Sequence, residues 1–403
     1  SSDSSEAAEG GLSVGKRMQQ AVMTGVSYMV PFVAAGGLLL ALGFLVGGYQ
    51  IGEQVNGIDP WKQFVTEYSL TNLPPTTVDF DGKEVAFAYP AFALYLGSVL
   101  FATGQAAMGF VVAALSGYIS YAMAGRPGIA PGFVGGAISV TLGAGFIGGL
   151  VTGLLSGAVA MWLGNQKVPK VLQSLMPVVI IPLGTSLVVG LVMFLLLGRP
   201  LAAILSGLQN WLTSMSGSSA LLLGVILGLM MCFDLGGPVN KAAYLFATAG
   251  LSTGDEASLK IMAAVMGAGM IPPIALSIAT MLRKNLFTAA EQENGKSAWL
   301  LGLSFISEGA IPFAASDPLR VIPATMAGGA VTGAISMVLG VGSRAPHGGI
   351  FVFFAISPLI GWIIALVAGI AVSTVLIIAL KQFWPNKTLM AQAAKDTAQA
   401  VAA

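Results

Sequence analysis

The chain has 403 residues, of which 56% are hydrophobic and only 9% charged, and its net charge is +1. A soluble chain of this length needs several charged surfaces, and these charges are too few to coat one. A polytopic helical membrane protein is therefore expected. Near-neutral charge speaks against a nucleic-acid partner, and the single cysteine, Cys232, can form neither an internal disulfide nor a metal site, so no metal or cofactor is expected.

In chain order, residues 1–15 begin Ser/Ala/Glu/Gly-rich and read as a flexible linker, expected to follow a preceding domain of a longer polypeptide. Apolar spans are then predicted at about 18–48, 91–123, 133–164, 171–198, 221–232, 258–281, 299–305, 321–341 and 349–380. The last is either one long tilted helix or a hairpin broken near Pro358. Allowing for the short and long ones, we expect about ten crossings with re-entrant hairpins. The polar tail at 385–403 is expected to fray.

Basic residues flank the spans at Lys16 and Arg17, Arg126, Lys167 and Lys170, Arg283 and Lys284, and Lys381 to Lys387, and these should face the cytoplasm. The loop 49–89 is acid-rich and poor in Lys and Arg, which fits the outer face. Both termini then lie inside. Residues 199–219 alternate apolar and polar side chains and suit an interfacial helix or a span connector. The stretch from Gly125 to Gly132 looks too irregular for a helix and reads as a turn or a gate.

Two short polar stretches interrupt the apolar sequence. One is Asp234-Leu235-Gly236-Gly237-Pro238-Val239-Asn240-Lys241, the other Ser307-Glu308-Gly309-Ala310-Ile311-Pro312-Phe313. Each sets an acid beside glycine with a proline four residues after the acid. Gly and Pro free backbone groups that are tolerated at membrane depth only against protein or a wet cavity. Paired breaks of this kind point to a transporter's binding site. A mid-bilayer carboxylate costs about 2.5–3.5 kcal/mol on insertion scales. Glu308 is read as a site residue or the cap of the broken helix. Asp234 is read as a site residue or the ion-pair partner of Lys241, and Asn240 as a cap or a bidentate hydrogen-bonder. The third feature is Pro346-His347-Gly348-Gly349, holding the chain's single histidine. A neutral imidazole both donates and accepts, which suits a hydroxyl. Asp317-Pro318 reads as a helix start with Asp317 as its cap.

On these three motifs the chain resembles the membrane subunit (enzyme IIC) of the fructose-type sugar phosphotransferase system, of the glucose-superfamily type, over nearly its whole length. The position before the glutamate, Thr in that family, is Ser307 here. The resemblance implies a multi-pass homodimer in the lipid of a bacterial cytoplasmic membrane. An N-terminal scaffold and dimer-contact region would occupy 16–219, and a sugar-binding region with re-entrant hairpins 220–384. It implies that fructose or a related sugar is bound, carried inward and phosphorylated by a partner domain, IIB, that carries phosphate on a cysteine. The chain would thus be half of a phosphohistidine–sugar phosphotransferase. The implied catalytic residue is Glu308, and the implied sugar-binding residues are Asp234, Gly236, Gly237, Asn240, Ser307, Glu308, His347 and Gly348. An ion- or proton-coupled secondary transporter is the alternative, because membrane acids and broken helices serve that class too.

Overall fold

The structure, a computed structural model, describes residues 13–215, 217–251 and 254–403. The linker expected at 1–15 falls, up to residue 12, outside them. The fold is almost wholly helical. The principal helices are α1 (Val14–Gly47), α2 (Pro60–Glu67), α3 (Ala91–Met108), α4 (Val111–Ala124), α5 (Ile129–Thr141), α6 (Gly145–Gly164), α7 (Met176–Trp211) and α8 (Ser218–Phe233). They continue with α9 (Pro238–Gly250), α10 (Glu256–Leu282), α11 (Ala289–Leu303), α12 (Ile311–Ser316), α13 (Pro318–Val338), α14 (Leu359–Phe383) and α15 (Lys387–Ala402). Among the described residues, seven helical stretches are long and apolar enough to cross a membrane.

Several boundaries differ from the sequence expectation, each for a local reason. The stretch after Gly125 is helical: a 3₁₀ turn at Arg126–Gly128 leads straight into α5. Pro131 is harmless there, since the first N–H groups of a helix have no intrahelical partner to lose. Residues 199–211 continue α7 instead of forming a separate interfacial helix, with a π-helical turn at Met193–Leu197 just before Pro200. The last predicted span is not one continuous helix: Gly349–Ala355 is 3₁₀ and α14 starts after Pro358. The acidic loop holds α2 and an antiparallel hairpin, β1 (Thr77–Phe80) with β2 (Lys83–Ala86). Its turn residues, Asp81 and Gly82, both have positive φ, as a two-residue hairpin turn requires. The tail is ordered as α15: Asn386 caps it, and Asp396 accepts from the backbone N–H of Ala289 at 2.8 Å.

The chain divides into two compact units: residues up to Gly36 with Thr103–Leu212, and Gly37–Ala102 with Thr213–Ala403. In the first, α4, α5 and α6 pack at close range because small residues face one another. Gly132 lies against Gly117, and the Ser116 and Thr152 hydroxyls bond at 2.7 Å across α4 and α6. In the second, α10 is the buried centre. Around it, Gly224 and Gly228 of α8 meet Gly333 and Gly329 of α13 backbone to backbone, a small-xxx-small seam on each helix. Packing of α13 on α14 adds bonds from the Ser373 hydroxyl to the Ala324 carbonyl and from the Thr332 hydroxyl to the Ala365 carbonyl, each 2.8 Å.

Candidate functional site

The first break lies between α8 and α9, within the second unit. Leu235 and Gly236 both have positive φ, and α9 begins at Pro238. The Asp234 carboxylate closes the turn: Oδ2 accepts from the Val239 N–H at 2.8 Å and Oδ1 from the Asn240 N–H at 2.9 Å. It thereby satisfies donors left over at the helix start. The Asn240 side chain donates back to the Met231 carbonyl at 2.8 Å, near the end of α8. Lys241 stands exposed and is not the partner of Asp234.

The second break, between α11 and α12, is held by α10. Pro272 and Pro273 lie inside that helix and lack the N–H groups that Ala268 and Gly269 would otherwise receive. Two side chains supply them. Cys232 Sγ donates to the Ala268 carbonyl at 3.2 Å, and the buried Ser307 hydroxyl donates to the Gly269 carbonyl at 2.7 Å. Phe305, just before Ser307, has φ +67, so each break carries a non-glycine residue in the left-handed region. Backbone held this way persists only when its surroundings over-determine it.

The third motif sits on the connection between α13 and α14, pinched at its base by β3 (Gly342–Ser343) pairing with β4 (Ile356–Ser357). Gly349 lies directly on the Leu303 carbonyl, where any side chain would collide. The His347 ring meets Phe305 edge-on, with 5.2 Å between centroids.

These contacts bring the three motifs together. Glu308 Oε1 lies 2.8 Å from the point a Cβ on Gly236 would occupy, so the glycine is what lets the carboxylate lie against the first break. Glu308 and His347 are both exposed, and Phe305, which packs beside the imidazole, is backed by Tyr244 at 5.8 Å between centroids. Partial desolvation by the surrounding side chains, although the ring keeps an open face, lowers the His347 pKa below its ordinary 6.5, and the Glu308 charge opposes that shift. An open acceptor carboxylate beside a neutral donor–acceptor imidazole is the pair of functions a polyol needs. Among the other sequence-predicted residues, Asp234 and Asn240 hold backbone, Ser307 is anchored in α10, and Gly236 and Gly237 form the turn. Gly348, with φ +110, sets the path of the loop after His347.

Sequence reasoning missed Phe305 and Tyr244, aromatic residues that lie just outside the two quoted polar stretches. It also missed a buried charge cluster. Asp317 does stand at the N-cap of α13, with Pro318 at the first helical position as expected, but its side chain makes no capping hydrogen bond. Its carboxylate pairs with Arg320 at 2.9 Å and Lys381 at 3.0 Å, and Lys381 lies 4.0 Å from Glu291. Arg320 stacks on Trp384, 4.2 Å from the ring centroid. The cluster ties the start of α13 to the start of α11 and the end of α14.

Residues 23–328 match the family model Phosphotransferase system, EIIC. The chain belongs to that family of multi-pass membrane proteins. It is 45% identical over 377 residues to the PTS system fructose-specific EIIB'BC component of Escherichia coli (strain K12), covering 93% of this chain and 59% of that protein. To the PTS system fructose-specific EIIC component of Haloferax volcanii it is 39% identical, covering 94% of this chain and 96% of the relative. With the PTS system fructose-specific EIIABC component of Bacillus subtilis (strain 168) it shares 37% identity over 92% of this chain and 53% of the relative. The chain thus spans little more than half the length of several relatives. Membership sets it among the EIIC proteins of the phosphotransferase system and favours that reading over the ion-coupled alternative.

Proposed function

We propose that this chain binds fructose, carries it inward and presents it to a phosphorylated IIB domain. The observation that carries this reading is the meeting of Glu308, Gly236 and His347 from three separate breaks on one open surface. The names of the relatives, several of which join B and C components, support fructose as the sugar and IIB as the partner.

In the proposed step an O–P bond forms to a sugar hydroxyl as the S–P bond of the partner's phosphocysteine breaks. Glu308 accepts the hydroxyl proton. His347 orients a second hydroxyl. Asp234 and Asn240 hold the turn at Gly236 and Gly237, and Asp234, half-exposed, keeps lone pairs for a further hydroxyl. Ser307 fixes the backbone from which Glu308 projects, and Gly348 the loop from which His347 projects.

The proposed topology has about ten crossings. The apolar helices supply most of them, and the broken segments around Asp234 and Glu308 form re-entrant hairpins. Both termini face the cytoplasm of a bacterial inner membrane. Residues 16–219 act as scaffold and homodimer contact, and 220–384 carry the sugar.

The test is fructose binding and phosphorylation by the purified chain, with and without a phosphorylated IIB domain. Binding in both cases, with sugar phosphate only when the partner is present, is the expected result. Sugar phosphate formed without that partner, or no fructose binding, would overturn the proposal.

A further inference from the structure

A cavity of about 550 Å³ lies in the second unit, bordered on one side by the connection that carries the third break and lined among others by Phe44, Leu45, Tyr49, Tyr89, Arg344 and Phe354. Its walls come from helix ends: the last turns of α1, the approach to α3, Leu259 in the first turn of α10, the residues after α13 and those before α14. A cavity built where apolar spans begin and end lies at the level of the membrane–water interface, the level at which tyrosines such as Tyr49 and Tyr89 collect.

The polar centre of this cavity is Arg344. Its guanidinium lies 4.8 Å over the Phe44 ring, and its backbone N–H donates to the Ala355 carbonyl at 3.1 Å. Among the described residues, no carboxylate forms an ion pair with it. A part-buried cation without a counter-charge is costly, and a neutral sugar does not repay that cost. A phosphate does, because its oxygens match the guanidinium fork. The mouth is apolar as well as open: Leu45 is 61% exposed and Tyr49 64%.

We propose that this cavity binds the phosphate of an anionic phospholipid, with Arg344 holding the phosphate and Phe44 and Leu45 receiving the first methylenes of its tail. Arg344 and His347 share the connection pinched by β3 and β4, so an occupied cavity would brace the loop that carries His347. Phosphate is the recognised chemistry. The interfacial level and the apolar mouth select a lipid over the free anion.

The purified chain in detergent would be incubated with phosphatidylglycerol or phosphatidylcholine vesicles and read by native mass spectrometry. We expect preferential retention of phosphatidylglycerol. Arg344→Gln should lower it roughly fivefold or more, and Arg344→Lys should restore part of it. Tyr49→Glu, a change at an exposed position on the rim, should repel the lipid too, and it decides the matter if Arg344→Gln fails to fold. Equal retention of both lipids, or retention indifferent to these variants, would refute the proposal. So would Arg344-dependent binding of inorganic phosphate without lipid, or displacement of the lipid by fructose.

Discussion

At the residue scale the two membrane acids do different work. Asp234 accepts one backbone N–H on each oxygen and so holds the turn, whereas Glu308 lies exposed against Gly236. Glu308→Gln keeps size and one acceptor but removes the charge and the base. General-base help is worth about 10²–10⁴-fold, so fructose phosphorylation at saturating sugar and phospho-partner should fall at least roughly tenfold. Binding should weaken less, since a hydrogen bond to a charged group contributes about 1.5–3 kcal/mol. A wild-type rate in this variant would remove Glu308 from the chemistry. His347 yields a pH prediction. Its pKa is lowered from 6.5, so the ring is neutral at pH 7 and gains its proton only as pH falls below that value. In its proposed role the neutral ring accepts from one sugar hydroxyl, and protonation removes the acceptor. Fructose affinity should therefore hold from pH 8 to 6.5 and decline only at lower pH. His347→Gln, which keeps a donor and an acceptor, should abolish that decline. An unchanged acid limb in this variant would show that another group titrates.

At the scale of elements, the breaks were legible because Gly, Pro and an acid stand out in apolar sequence, and both prolines do begin helices, α9 and α12. Helix α11 was less so. Its N-terminal half is polar, so hydropathy found only its last turns, although Thr288 and Glu291 form a capping box that the spacing announced. The turn at Asp81 and Gly82 was likewise a readable hairpin signal. The Asp317 cluster was not readable, since its members are far apart in sequence and only packing makes them neighbours. That cluster overturns the expectation that Asp317 is an ordinary cap. Asp317 is 1% exposed and neutralises two cations. Removing one partner of a buried ion pair costs roughly 3–5 kcal/mol. Asp317→Asn should thus lower the melting temperature of the purified protein clearly, while the surviving folded fraction binds sugar normally. An unchanged melting curve would mean that the cluster contributes nothing net.

At the scale of the molecule, the second unit has two chemically distinct ends. The Arg344 cavity joins the end of α1, the start of α10, the residues after α13 and those before α14. The other ends of α10, α13 and α14 carry Arg283 and Lys284, Arg320, and Lys381 with Lys387. Basic residues collect on the cytoplasmic side, so the cavity and the acid-rich loop that supplies Tyr49 and Tyr89 should face out. Each of the three helices then crosses once, with its basic end inside. Cysteine labelling tests this directly, because the native Cys232 is buried and its thiol is engaged with the Ala268 carbonyl. Asp81→Cys, in the exposed hairpin turn, should react with an impermeant thiol reagent in intact cells. Lys284→Cys, exposed just beyond α10, should react only after the membrane is opened. The reverse pattern would turn the molecule over in the membrane and move the proposed phosphorylation step away from the cytoplasmic partner. Labelling of both in intact cells would mean that α10 does not cross at all.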